Sequence, residues 1–411
     1  MHRVAVTGMG IISPLGNDVQ SFWAGLLGGK CGIGPITRFD AQGFKVTIAA
    51  EVKGFDPSDH GLEPAEARRM DLFTQYAMTA AHQAMDQSGL MGQVDPERLG
   101  VNISSGIGGI DTMFRESEKL LNRGPGRVSP LCIPTMIGNM AAGNAAIRYN
   151  AQGACVPVIT ACATSTHAAG EAYRMIRHGY LDAMITGGSE ASVTPIAIAG
   201  FTSCMALSEA NEPKASSLPF DARRKGFVLG EGAAVLVLEN LEHAQARGAK
   251  ILGEIVGYGA TCDAFHITAP HPEGDGAKRA ICLALSEAGD TGEESLYINA
   301  HGTGTPLNDR TETLAIKRAL GEERARQTAV SSIKGATGHM LGAAGGAELI
   351  ATLLALREDT LPPTIPLEAP DPECDLDYVP RASRHEARDL GLSISLGFGG
   401  HNGVLAVRRG S

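Results

Sequence analysis

A cysteine, two histidines and a lysine, each set beside glycine or another small residue, stand out among the 411 residues of this chain. Cys162 lies in VITACATSTHAAG, His301 in YINAHGTGTPLND, and Lys334 and His339 in SSIKGATGHMLGAAGG. A thiol can attack a carbonyl, imidazoles can move or donate protons, and a nearby cation tunes both. Cys162 falls where a strand-like apolar run, residues 156–159, gives way to a helical one that begins near residue 163. A thiol at a helix N-terminus sits beside free backbone N–H groups, which lowers its pKa from about 8.5. His301 and the Lys334–His339 pair follow two further strand-like runs, where α/β proteins present reactive groups on loops. A lone cysteine or histidine is usually packing. Three such groups, each at the end of a strand-like run beside glycine or alanine, are harder to assign to packing. A glycine turn around Phe398, in SLGFGGHNG, offers one more backbone N–H to a bound oxyanion. A zinc site is disfavoured by spacing, since no two Cys/His ligand pairs stand at i, i+3 or i, i+4; Cys262 and His266 are alone at that spacing.

The elements that must hold these groups alternate in type. RVAVTGMGII reads as a strand and DVQSFWAGLL as a helix; LGVNISS, VPVIT and DAMITGG read as strands separated by helical stretches. Alternation of this kind predicts an α/β protein, a mostly parallel sheet covered by helices. Two pairs of segments echo each other. GFVLGEGAAVLVLENL (226–241) and LSISLGFGGHNGVLAVRR (392–409) each read strand, glycine turn, strand, as hairpins closing a half. The stretches around Cys162 and around Lys334 each read strand, small-residue loop, long helix. An ancient duplication is expected, with its seam near Gly253. The half 1–253 carries the cysteine and the half 254–411 carries both histidines.

Composition narrows the class. Hydrophobic content of 43% with 19% charged residues is that of a globular protein, and the formal charge of −10 argues against a nucleic-acid partner. It leaves room for a local basic patch facing an acidic partner. The eight cysteines contain no CxxC pair, which fits a reducing compartment better than a disulfide scaffold. MHRVAVTGMGIISPLG is broken by Gly8, Gly10, Ser13 and Pro14, so it is expected to be a first strand and not a signal peptide. No apolar run approaches the ~18 residues of a membrane helix. A cytoplasmic protein is expected.

TACATSTHAAG, NAHGTGTPLND, SSIKGATGHMLGAAG and GFGGHN, in that order, resemble the β-ketoacyl-acyl-carrier-protein synthases of the elongating type. The chain is most similar to the synthase II branch of bacterial fatty-acid synthesis, from VAVTGMGIISPLG through GFGGHNG. The resemblance implies the thiolase fold, five αβαβα layers built from two similar halves, as a homodimer. It implies a decarboxylating Claisen condensation in which Cys162 carries the acyl group as a thioester. Malonyl-carrier then loses CO2, and its carbanion attacks to give a 3-oxoacyl chain two carbons longer. On this resemblance the N–H groups of Cys162 and Phe398 form the oxyanion hole, and His301 and His339 polarise the malonyl thioester. Lys334 tunes their charge, with Asp309 and Glu312 sustaining the polar network; a buried structural ion pair is the other reading of Lys334. Thr303, Thr305 and Thr268 would bind the phosphopantetheine arm. Ile107, Phe398 and Phe201 would gate the acyl pocket. Arg68, Arg69 and Arg127 would dock the acidic acyl carrier protein. Met205 stands where many relatives carry a basic residue, so one docking contact is missing or relocated. Asn299, Glu348, Ser393 and Asn402 match positions that hold a structural monovalent cation in some members, and no cofactor is required. The two histidines separate this branch from the Cys-His-Asn chain-initiating synthases and from the two-cysteine thiolases. A synthase I-type or polyketide ketosynthase with another acyl preference stays open. A non-catalytic chain-length factor would lack the nucleophile, and Cys162 is present.

Overall fold

In the computed structural model, residues 1–410 are described; position 411, the last of the expected second half, lies outside them. Runs such as VAVTGMGII and GAAVLVLEN are mostly small or apolar, and every residue in them is buried. Strands of that kind need cover on both faces. Nine of them form one mixed sheet: β1 (Val4–Ile12), β2 (Leu99–Ser104), β3 (Ala183–Glu190), β4 (Gly232–Asn240), β5 (Gly253–Cys262), β6 (Leu296–Asn299), β7 (Ala329–Ser331), β8 (Leu390–Gly397) and β9 (His401–Arg408). Their order is β2-β3-β4-β1-β5-β9-β8-β6-β7. Outward from β1 the pairings run antiparallel, antiparallel, parallel, through β4, β3 and β2. Outward from β5 the same sequence runs through β9, β8 and β6, and β7 adds one more parallel strand. The halves join where Val4–Val6 of β1 pairs with the start of β5.

Six helices matter for the site: α1 (Leu72–Ser88), α2 (Ile110–Arg123), α3 (Thr164–Arg177), α4 (Asp275–Ala288), α5 (Pro306–Leu320) and α6 (Ala344–Arg357). The outer face of the first half is covered by α1, whose Phe73 and Tyr76 pack with Ile12, Ile185 and Val235. The outer face of the second half is covered by α4 and α5, through Ile281, Ala284 and Ile316 against Ile298 and Leu392. Between the two half-sheets, α3 and α6 share one core that contains Ala169, Tyr173, Ile350 and Leu354 together with Met9, Leu236 and Leu405. The result is five layers, helix, sheet, helix, sheet, helix. Every residue of α6 from Ala344 to Leu356 is buried, as expected of a helix apolar on all sides. The central helices approach closely because Gly345 has no side chain; a Cβ there would lie 2.0 Å from Thr166 Oγ1.

The duplication is drawn in the backbone. A 3-10 turn, Ala161–Ala163, leads into α3, and a second, Leu341–Ala343, leads into α6. Both turns open on a residue in the left-handed region, Ala161 at φ 51° and Leu341 at φ 46°. The pairs 161/341, 164/344 and 177/357 recur at one constant spacing.

Three sequence expectations need correcting. The sheet is not mostly parallel: five of its eight pairings are antiparallel and three are parallel, because each half closes on antiparallel neighbours of β1 and β5. Residues 156–159 are not a buried strand. Only Cys155 bridges to the sheet, parallel to Val101, and Val156 and Ile159 are 53% and 65% exposed. This segment is the outermost rung of the first half-sheet, with no strand beyond it to extend the ladder. The stretch 226–241 is not a hairpin either. β4 pairs with β3, from which residues 191–231 separate it, while Phe227 and Leu229 bridge to Leu207 and His339. The echo at 392–409 is a true hairpin, β8–β9 around Phe398.

Candidate active site

The turn before α3 and the β8–β9 turn meet over a cavity of about 410 Å3 lined by Cys162, His301, His339 and Phe398. The strand end reaches the cysteine turn because Gly397 is bare; a Cβ there would meet the Thr160 carbonyl at 2.6 Å and the Cys162 nitrogen at 3.4 Å. The backbone N–H of Phe398 lies near enough to the Cys162 sulfur to favour its ionised form. Burial pushes the thiol up to about 12, against the lowering effect of the Lys334 charge and of the Phe398 N–H. This reverses the lowered pKa expected from the helix terminus. The sulfur sits in an apolar cluster with Ala206, Phe227 and Leu341, where a thiolate loses its hydration. At rest the group is a thiol, so it must give up its proton as it attacks.

His301 follows β6, and its backbone N–H and that of Gly302 are both accepted by the Glu312 carboxylate, at 2.7 and 2.8 Å. His339 is fixed through its own backbone, its N–H donating to the Val228 carbonyl at 2.8 Å and its carbonyl accepting from Gly230 at 2.9 Å. The Phe227 ring packs edge-on against it, 5.0 Å away. The two imidazoles are 5.3 Å apart and nearly perpendicular. Burial, reinforced by the Lys334 charge, holds both well below the ordinary histidine range. Both are therefore neutral near pH 7, and each carries one N–H to donate. His339 Nδ1 is buried with no partner among the described residues.

Lys334 does not line the cavity. Its ammonium is ion-paired with Glu348 of α6, donates to the His301 carbonyl at 2.6 Å and lies 3.4 Å from His301 Nδ1. It is thus a buried ion pair and a charge beside the imidazoles at once. Glu348 in turn accepts from Ser395, which is hydrogen-bonded to Thr166 of α3 at 2.7 Å. Asp309 and Glu312, buried on α5, act on backbone. Asp309 accepts the N–H of Phe220 at 2.8 Å and of Gly304 at 3.2 Å. Burial raises the Glu312 carboxyl to about 7 in spite of its two backbone donors.

Thr303, Thr305 and Thr268 all line the cavity, and the hydroxyls of Thr303 and Thr305 are 3.0 Å apart. Two of the expected pocket residues do not line it. Phe201 stands behind Phe227, ring centroids 5.8 Å apart, and Ile107 is 41% exposed in the turn before α2. Arg68, Arg69 and Arg127 are exposed, with no ion-pair partner among the described residues. Met205 is 88% exposed on the cavity rim, where the exposed cation is Lys225. Of the four residues expected around a cation, Asn299 and Ser393 face each other across β6 and β8, and Asn299 Oδ1 and Ser393 Oγ are buried without a partner. Two such oxygens fit a small monovalent cation. The Glu348 carboxylate is already engaged by Lys334, and the Asn402 amide donates to Asp263 Oδ1 at 2.8 Å. Among the described residues no cluster of three or more His, Cys, Asp or Glu suits a metal ion.

Phe227, Lys225 and the Phe220 N–H were not visible as site residues in the sequence. All three come from 191–231, the segment inserted between two paired strands, where the sequence reads as half of a hairpin and not as part of a site. Two family models account for most of the chain: "Beta-ketoacyl synthase, N-terminal domain" matches residues 1–244 and "Beta-ketoacyl synthase, C-terminal domain" matches residues 252–368. The chain belongs to the beta-ketoacyl synthase family. Among its relatives, a 3-oxoacyl-[acyl-carrier-protein] synthase 2 of Synechocystis is 52% identical over 409 residues, 99% of this chain and 98% of that one. A protein of the same description from Coxiella burnetii is 49% identical, covering 99% of each. A type II polyketide ketosynthase, solved in complex with its acyl-carrier protein and bound to a hexaketide, superposes over the whole of both chains with TM-score 0.91 at 33% identity. The beta-ketoacyl synthase fold and the Cys–His–His site thus occur together here.

Proposed function

We propose that this beta-ketoacyl synthase is a 3-oxoacyl-[acyl-carrier-protein] synthase of the synthase II kind, an acyltransferase that lengthens fatty acyl chains. The observation that carries the reading is the meeting of Cys162, His301 and His339 in one cavity with the Phe398 N–H near the sulfur. In the first half-reaction the Cys162 sulfur attacks the acyl thioester and the carrier's pantetheine thiol leaves with the proton. The Cys162 and Phe398 N–H groups hold the tetrahedral oxyanion; one such donor is worth roughly 100- to 1000-fold in rate. In the second, the malonyl C–C bond breaks, CO2 departs and the electron pair moves into the thioester enolate. Two neutral imidazoles, each presenting an N–H, stabilise that charge without having to lose a proton. The enolate carbon attacks the acyl-Cys162 carbonyl, the product forms, and the sulfur is released and reprotonated.

The carrier's arm would run along Thr303, Thr305 and Thr268, and Arg68, Arg69, Arg127 and Lys225 would meet its acidic surface. Phe398 would gate the acyl chain, with Ile107 and Phe201 behind it. The chemistry needs no cofactor. A monovalent cation between Asn299 Oδ1 and Ser393 Oγ would be structural. The halves 1–253 and 254–411 each supply one central helix. A homodimer is supported by the exposed apolar residues Val156 and Ile159 beside the edge of the first half-sheet, which a second copy would cover. Among the described residues no helix is long and apolar enough to cross a membrane, and a cytoplasmic site of action accords with a soluble carrier.

The test is intact mass with peptide mapping after incubation with acyl-carrier substrates of graded length. A stoichiometric adduct on the Cys162 peptide, absent from Cys162→Ser, is expected. No adduct at any length in a folded protein would overturn the reading.

A further inference from the structure

Glu190, at the end of β3, is fully buried, has no ion-pair partner among the described residues and takes no step of the proposed condensation, though its charge raises the Cys162 thiol. Its carboxylate instead collects five donors from three separate segments. Oε1 accepts the hydroxyls of Ser105 and Ser192, at 2.9 and 3.3 Å, and the backbone N–H of Ile107 at 3.3 Å. Oε2 accepts the backbone N–H of Gly106 at 3.0 Å and of Gly342 at 3.1 Å. Gly342 is the residue of the second-half turn that corresponds to Cys162, and its neighbour Leu341 packs in the apolar cluster that holds the Cys162 sulfur. The turns are in backbone contact. A Cβ on Gly342 would lie 2.4 Å from the Gly106 nitrogen, and one on Gly106 would lie 3.4 Å from the Ala161 carbonyl. Ser105 extends the arrangement by accepting the Gly108 N–H at 2.9 Å. One carboxylate therefore ties the Gly106–Ile107 turn to the wall of the cysteine's apolar surroundings.

We propose that Glu190 is a positioning residue for the acyl chain: it fixes the Ile107 turn against the Leu341–Gly342 turn and so sets how long a chain Cys162 accepts. This rests on acyl transfer to Cys162 as proposed above. The three backbone N–H groups can only donate, and the ionised carboxylate accepts all five partners together; burial raises the carboxyl to about 7 in spite of its hydrogen bonds from Ser105, Gly342, Gly106 and Ile107. In Glu190→Gln the amide –NH2 must face one set of donors. Ser105 and Ser192 can rotate to accept it, whereas the Ile107 N–H cannot. The substitution releases the Ile107 turn selectively.

Single-turnover acylation of Cys162 by saturated acyl-pantetheine thioesters, short and long, measured by intact mass, reads the effect as a ratio. In Glu190→Gln the long-to-short rate ratio is expected to change by about tenfold, the worth of one buried hydrogen bond, with the melting temperature lowered by only a few degrees. Ser105→Ala, which frees the Gly108 N–H and one Glu190 donor, is expected to move the ratio in the same direction and serves if Glu190→Gln does not fold. An equal loss at every chain length, or an unchanged ratio in both variants, would overturn this inference alone. Failure of the unsubstituted protein to be acylated at any length would overturn the proposed function, and this inference with it.

Discussion

At pH 7 the resting groups of the site are a thiol and two neutral imidazoles, and Lys334 pulls all three in one direction. Its charge lowers the Cys162 thiol and both histidines. Removing Lys334 alone would leave Glu348 buried and unpaired, at a cost of about 3–5 kcal/mol. Lys334→Met with Glu348→Gln removes the pair together. In that double variant the histidine pKa values rise, so the neutral imidazoles are lost at a higher pH as the solution is acidified. The acid limb of the condensation profile should move to higher pH. The thiol also rises, because the lost Lys334 charge outweighs the lost Glu348 charge that had raised it, and alkylation of Cys162 should slow. A limb that stays put, with alkylation unchanged, would show that Lys334 does not tune the site. His301→Ala or His339→Ala should leave acyl-Cys162 accumulating while condensation falls by about 100-fold or more, in a single-turnover experiment with malonyl substrate. The sequence made these residues candidates, because a thiol and two imidazoles beside glycine or alanine are an unusual set, and the fold brings all three to one cavity. The direction of the thiol's pKa was not. A helix terminus is visible in a sequence, but enclosure by Phe227 and Leu341, from distant segments, is not. The partner of Lys334 was hidden for the same reason: Glu348 matched a cation position, and only the packing of α6 brings it to the ammonium.

The elements that aim these groups are turns held by close backbone approach. The β8–β9 turn reaches Cys162 only because Gly397 is bare. Gly397→Ala should push the Phe398 N–H away from the sulfur and lower acyl transfer about 100-fold, the cost of one oxyanion donor. A near-normal rate in a folded variant would remove Phe398 from the oxyanion hole. α5 works differently, presenting Asp309 and Glu312 to the N–H groups of Gly304 and His301 on the loop that precedes it. Strand and helix alternation predicted most of this framework, including the true hairpin at 392–409. It failed at 156–159, where apolar residues at a sheet edge face outward, and at 226–241. There the pattern of a hairpin arises from an extended segment pairing with Leu207 and His339. Apolar content marks burial in something; it does not say whether the cover is this chain or a second copy.

For the molecule as a whole, the carrier docking proposed above separates from chemistry in the cavity. Arg68, Arg69 and Arg127 are exposed and lie outside the residues that line it. Arg68→Glu with Arg127→Glu should raise KM for carrier-borne substrate and leave a free pantetheine thioester unaffected. Equal losses on both would place those arginines in the fold and not in docking. Charging the exposed edge, with Ile159→Asp, should lower the molecular mass in solution by half as measured by light scattering, and an unchanged mass would assign the edge another role. The two-part organisation was legible from the echoes around Cys162 and Lys334, but the shared core was not, since no local pattern reveals that α3 and α6 cover each other. That core has a consequence for how the chain can be divided. The exposed turn at Gly248 lies between the halves, and a cut there would break no strand of the sheet. Each fragment would then own one central helix, apolar on the side its counterpart had covered, and neither would be soluble alone. Expressed together, the two should find each other and rebuild the thiol and imidazoles in one cavity, so that a covalent duplication becomes a complementing pair.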